Sequence, residues 1–115
     1  MEEKYGFKRK IRITKNKELR KVLKEGNIYS GTYLNIYYLP EDIQKFSIRL
    51  QNHIKGGYKR NKLRRRLRDI VRNSSNEMKY GLYIIFGKKL AIDVGYNELK
   101  EDFEKLTSEG KLWLK

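Results

Sequence analysis

Apolar residues recur along this chain in two different periods, and the switches between them mark out its elements. Leu19, Val22 and Leu23 fall on one narrow helical face between Asn16 and Glu25, with Asn16 as the expected N-cap, Ile13 just outside it and Gly26 as the stop. So narrow a stripe suits packing on a sheet. From Tyr33 to Tyr38 the period drops to two, placing Leu34, Ile36 and Tyr38 on one face and Tyr33, Asn35 and Tyr37 on the other. After Leu39-Pro40-Glu41-Asp42 the alternation resumes: Phe46, Ile48 and Leu50 point one way, Ser47, Arg49 and Gln51 the other. Two such strands as neighbours share an apolar face and a face of aromatic, amide, hydroxyl and cationic groups, made by Tyr33, Asn35, Tyr37, Ser47 and Arg49.

Gly56-Gly57 interrupts the chain, and the helical period returns from Gly57 to Arg72. Leu63, Leu67, Ile70 and Val71 form its buried stripe, while Asn61, Arg64, Arg65, Arg68 and Arg72 gather on a neighbouring face. Asn73-Ser74-Ser75-Asn76 closes it. Leu82 to Phe86 is apolar throughout, as a strand buried on both faces would be. A last helix from about Tyr96 to Leu106 aligns Leu99, Phe103 and Leu106, and Trp113 with Leu112 and Leu114 is expected to cap the core. The order helix, strand, strand, basic helix, strand, helix predicts one α+β domain over residues 1–115, preceded by a basic, partly ordered arm at 1–10.

Charge narrows the partner. The chain carries a net +14, and between Lys55 and Arg72 nine Lys or Arg residues stand against one acid, Asp69. More than half the excess positive charge therefore sits on this one segment. Arg60, Arg64, Arg68 and Arg72 follow one another at i,i+4 spacing, which disfavours the isolated helix and calls for an anionic partner. A membrane-surface helix would carry bulky aromatics opposite its cations, whereas this one carries Leu, Ile and Val, so nucleic acid is the favoured partner. No apolar run approaches the ~20 residues of a membrane span, no secretory signal is evident, and the absence of Cys excludes disulfides and thiolate metal sites.

Catalytic constellations are not evident. His53 is the only histidine, with no Ser/His/Asp arrangement around it, and reads as a turn residue or RNA contact. The acids are scattered, and Asp69 reads as an internal partner for a neighbouring Arg. A ribosomal or other structural RNA-binding protein would share the basic helix. A helix-turn-helix DNA regulator fits less well, because strands flank that helix, and a protein-only nuclease fits less well, because the spacing shows no paired metal-binding carboxylates.

The segment Lys59-Arg60-Asn61-Lys62-Leu63-Arg64-Arg65, with Arg68 beyond it, resembles the "RNR" helix of the protein subunit of bacterial ribonuclease P. The similarity extends over most of the chain, from Arg12-Ile13 and the first helix, through the two strands, to Leu82–Phe86 and the last helix. It departs from the family pattern at Leu19 and Leu23, where Phe is usual, at Asn52 and His53, where a Lys pair is common, and at Lys55, where Gly is common.

The resemblance implies a two-layer αβ sandwich with a left-handed βαβ crossover, related to a ribosomal-protein domain. It implies a subunit that binds the catalytic RNA through Arg60, Asn61, Lys62, Arg64, Arg65, Arg68 and Arg72. It further implies a cleft of Tyr33, Asn35, Tyr37, Ser47 and Arg49 for the 5′ leader of precursor tRNA. Hydrolysis of the leader phosphodiester would then fall to the RNA and to Mg²⁺ held mainly through it. No polypeptide catalytic residue, protein-bound metal, membrane or obligate protein partner is expected, and the setting would be the cytoplasm.

Overall fold

The computed structural model describes residues 16–52, 54 and 56–114. The basic arm, Ile13, His53 and Lys55 lie outside the described residues. Seven principal elements follow one another: α1 (Asn16–Glu25), β1 (Asn27–Ser30), β2 (Leu34–Pro40), β3 (Gln44–Leu50), α2 (Gly57–Ser74), β4 (Gly81–Gly87) and α3 (Tyr96–Glu109). Short 3₁₀ turns at Ser75–Glu77 and Lys89–Asp93 flank β4.

The strands form one sheet in the order β1-β2-β4-β3. β1 and β4 both run antiparallel to β2, and β3 runs parallel to β4, so β3, α2 and β4 make the expected strand-helix-strand crossover. Two sequence expectations change here. The strands Leu34–Pro40 and Gln44–Leu50 are not neighbours, because β4 lies between them. β1 was not foreseen: its four residues are exposed apart from half-buried Tyr29, so they leave no period to read.

Alternation along the strands sends side chains to two faces, and helices cover both. On one face Leu34, Ile36, Tyr38, Phe46, Leu50, Tyr83 and Ile85 pack under Leu63, Leu67, Ile70 and Val71 of α2 and Leu99, Phe103 and Leu106 of α3. Leu112 is buried there, and Trp113 meets Phe103 edge-on at 6.5 Å, whereas Leu114 is exposed and takes no part in the cap expected of it. On the other face α1 sets Leu19 and Val22 on Leu82 and Ile84 of β4, with Tyr37 and Leu39 alongside. Asn16 is the first residue of α1 rather than its cap, and Leu23 is exposed.

Ion pairs Lys45–Glu18 (3.4 Å) and Lys21–Glu41 (3.2 Å) fasten α1 to the sheet edge, each contributing about 0–1 kcal/mol. Glycine is required at position 26, just past the helix, because a Cβ there would lie 2.6 Å from the Val22 carbonyl oxygen and 2.8 Å from that of Tyr38. No side chain fits at this crossing.

Within the main core Tyr83 stacks on Phe46 at a centroid distance of 4.7 Å and meets Tyr38 at the same distance. The Tyr83 hydroxyl donates to the Lys79 carbonyl and the Tyr38 hydroxyl to that of Tyr80. Burial first, and then the neighbouring tyrosines, pushes both hydroxyls above their ordinary pKa; burial and a hydrogen bond to Asp69 do the same for Tyr96. A folded-state pKa above the unfolded value contributes stability below about pH 10 that is lost as pH climbs through the folded value. Alkaline titration followed by tyrosinate absorbance should therefore show Tyr38, Tyr83 and Tyr96 ionising above the ordinary tyrosine range, as stability falls. Ionisation of these three near pH 10 with unchanged stability would contradict this packing.

Candidate nucleic-acid interface

α2 is built from strong helix formers around its apolar stripe and follows Gly56 at its N-cap, whose φ of 89° suits a residue without a Cβ. Its cations do not all face the same way. Arg66 donates to the Val94 carbonyl at 2.8 Å and helps hold the segment before α3. Arg60 turns back to the Ile54 carbonyl at 3.3 Å. Arg72 pairs with Asp69 at 2.6 Å, and Asp69 also accepts from the Tyr96 hydroxyl at 2.8 Å, so the single acid on this helix is an internal partner as expected.

The remaining groups form the outward basic face. Asn61 and Arg65 are exposed, and Lys62, Arg64 and Arg68 are half-buried along their stems. Tyr58, Asn61, Arg64, Arg65 and Arg68 together line a surface groove of about 440 Å³. The first turn of α2 contains no acid, so the positive end of its dipole adds to the field of the guanidinium groups. Guanidinium forks and an amide along one groove suit a run of phosphates.

The second surface lies where α1 leaves the sheet partly open. Strand register aligns Ser30, Asn35, Phe86 and Arg49 in one row, and Ile28, Tyr37, Ile84 and Ser47 in the next. Of the cleft residues expected from the sequence, Asn35 and Tyr37 are half-buried side by side on this face and Arg49 is exposed at its edge. Among the described residues, the Asn35 side-chain oxygen is buried without a hydrogen-bond partner.

Of the other two expected residues, one stands elsewhere and one lies beneath the surface. Tyr33 lies in the bend before β2 and packs against the main core. Ser47 is only 7% exposed beside Ile84, which α1 covers, and so belongs to the floor. Phe86, half-buried between Asn35 and Arg49, was missed as a wall residue. Its signal was its alternation with Leu82 and Ile84, which became readable once β4 was placed between β2 and β3.

The well-placed acids are used structurally. Asp102, 7% exposed on α3, accepts the backbone N–H groups of Thr32, Tyr33 and Leu34 at 3.2, 2.8 and 2.9 Å. Among the described residues no three His, Cys, Asp or Glu side chains converge as a metal site requires. None of the described helices is long and apolar enough to cross a membrane.

The chain resembles known proteins along nearly its whole length. A protein-family model described as Ribonuclease P matches residues 7–110. A ribonuclease P protein component from Acholeplasma laidlawii is 32% identical over 110 residues, covering 92% of this chain and 94% of the relative. One from Coprothermobacter proteolyticus is 24% identical over 103 residues, covering 90% and 87%. In fold, the RNase P protein of Staphylococcus aureus superimposes with a TM-score of 0.82 at 18% identity, covering 90% of this chain and 97% of that one. The RNase P protein from Thermotoga maritima does so with a TM-score of 0.74 at 19% identity, covering 85% and 96%. The basic helix, the four-stranded mixed sheet and a family match from residue 7 to residue 110 agree: the chain belongs to the ribonuclease P protein family.

Proposed function

We propose that this chain binds the catalytic RNA of ribonuclease P through the outward face of α2 and holds the 5′ leader of precursor tRNA in the cleft between α1 and the sheet. The observation that carries the reading is the pairing of two unlike surfaces on opposite sides of one sheet. One is cationic and phosphate-sized in its chemistry. The other is narrow, with aromatic, amide and cationic groups of the kind that hold unstacked bases.

The polypeptide's own contribution is positional: α2 screens charge and fixes the RNA, while Tyr37, Phe86, Asn35 and Arg49 restrain the leader. Mg²⁺ bound through the RNA would supply charge neutralisation and an activated water. The engagement of Asp69 and Asp102 inside the fold supports assigning hydrolysis to the RNA. A cytoplasmic ribonucleoprotein is the setting this reading implies.

Reconstitution tests it. The protein freed of RNA should leave precursor tRNA intact, and with ribonuclease P RNA it should stimulate cleavage most at low Mg²⁺, where its charge best replaces counterions. Robust cleavage by the protein alone would sink the assignment. Affinity for the RNA subunit should fall with salt at a log–log slope of about −4 to −5 if six phosphates are neutralised. A flat response would remove α2 from the interface.

For the cleft, Tyr37→Ala should weaken holoenzyme binding of leader-bearing precursor by about 1–3 kcal/mol, the contribution of one stacked base. Mature tRNA should bind unchanged. Because the comparison is between two substrates on one protein, a general loss of stability cannot imitate the result, and equal weakening of both would return Tyr37 to a packing role.

A further inference from the structure

Tyr58, the second residue of α2, is 73% exposed and shares the groove of Asn61, Arg64, Arg65 and Arg68. Tyr58, Asn61, Arg65 and Arg68 follow i, i+3, i+7 and i+10, so they form a continuous stripe about 15 Å long beside the buried one. The groove's volume of about 440 Å³ falls within the ~300–1,000 Å³ of ordinary ligand sites. A lone exposed aromatic needs no explanation. This ring is different, because it occupies the N-terminal end of a groove whose other walls are guanidinium and amide groups, and it makes no aromatic contact among the described residues. Tyr is also a weaker helix former than the Lys and Arg around it.

Cations alone suffice for phosphates. A flat ring at the end of a phosphate-binding stripe adds a platform for a nucleobase, and a base can reach it only when it is out of the helical stack. We infer that α2 docks on RNA at an unpaired nucleotide, whose base stacks on Tyr58 while the flanking phosphates lie along Arg64 and Arg65. This rests on the reading of α2 as the RNA-docking face, and it deepens that reading from charge recognition to recognition of RNA form.

The test uses the full chain, a fully paired RNA duplex and the same duplex carrying one bulged nucleotide. The wild-type protein should prefer the bulged probe by about 5- to 150-fold, the range set by one stacked base. Tyr58→Phe should keep the preference and Tyr58→Ala should abolish it, with the salt slope unchanged in both. Neither change should unfold the chain, since the side chain is exposed and Ala favours the helix. Absence of a bulge preference in the wild type, or its survival in Tyr58→Ala, would overturn the inference. Arg64→Ala with Arg65→Ala separates the two levels: it should weaken both probes alike and flatten the slope. If it weakens neither, the docking face itself has been misassigned.

Discussion

Arg64→Ala combined with Arg65→Ala should reduce affinity for the catalytic RNA by about 30- to 150-fold while leaving the fold intact. A hydrogen bond to a charged group contributes about 1.5–3 kcal/mol, and exposure of these side chains lowers that to about 1–1.5 kcal/mol for each arginine. The two together give the stated range at 1.4 kcal/mol per decade. Two fewer neutralised phosphates should also flatten the log–log salt slope by about 1.4–1.8. Stability should change by less than about 0.5 kcal/mol, because neither residue belongs to the Leu63, Leu67, Ile70 stripe and Arg64 repels Arg60 and Arg68 one turn away. Filter binding across a salt series, with a thermal melt of each protein, checks all three quantities. An unchanged slope would show that other cations carry the contact.

Asp102→Ala should be strongly destabilising, at about 3–5 kcal/mol. Its carboxylate accepts three successive backbone N–H groups from the bend that leads into β2, and thereby ties α3 to the sheet. Each donor left unsatisfied in a buried place costs about 1–3 kcal/mol; Thr32 is exposed and can turn to water, whereas Leu34 cannot. The bend fits only because residue 31 is glycine: a Cβ there would stand 2.6 Å from both carboxylate oxygens. Measured by urea unfolding, Asp102→Ala should lower the midpoint with little change in m, and Asp102→Asn, which keeps one acceptor oxygen, should fall between the two. Against a typical domain stability of about 5–15 kcal/mol, the loss is a large fraction of the whole. A shift below about 0.5 kcal/mol would mean that water replaces the carboxylate freely.

The basic helix was legible because two patterns coincide on it: Leu63, Leu67, Ile70 and Val71 at helical spacing, and a charged face too dense to be incidental. The Asp69 pairing was legible for the same reason, since only one acid stood among those cations. Asp102 was not, because its partners lie about seventy residues away and nothing in their spacing announces a carboxylate cradle. Ser47 is more buried than its place on the open face suggested, and Phe86 was left out of that face, because strand order is not written in period-two alternation. A strand's own pattern gives its two faces and leaves its neighbours open. Tyr33 was assigned by parity to the cleft face, but it precedes the strand proper, where the chain bends and alternation ceases to hold.

The position of β4 has a consequence for how the chain comes into being. The strand at the centre of the sheet is the last strand to be synthesised, arriving only after Leu34–Pro40 and Gln44–Leu50, which it must separate and bond on both sides. Until Gly81–Gly87 has emerged from the ribosome, β2 and β3 have no bonded neighbour between them and the apolar stripe of α2 has no finished surface to cover. Pairings such as Leu34 with Gly87 close a long loop, and contacts of that separation form slowly. Folding should therefore be all-or-none and late: nascent chains halted before Gly81 should be digested readily by protease, and those extended past Glu109 should resist. Protection of the shorter chains would mean that β2 and β3 first pair with each other, and that β4 must then displace an existing partner to reach its place.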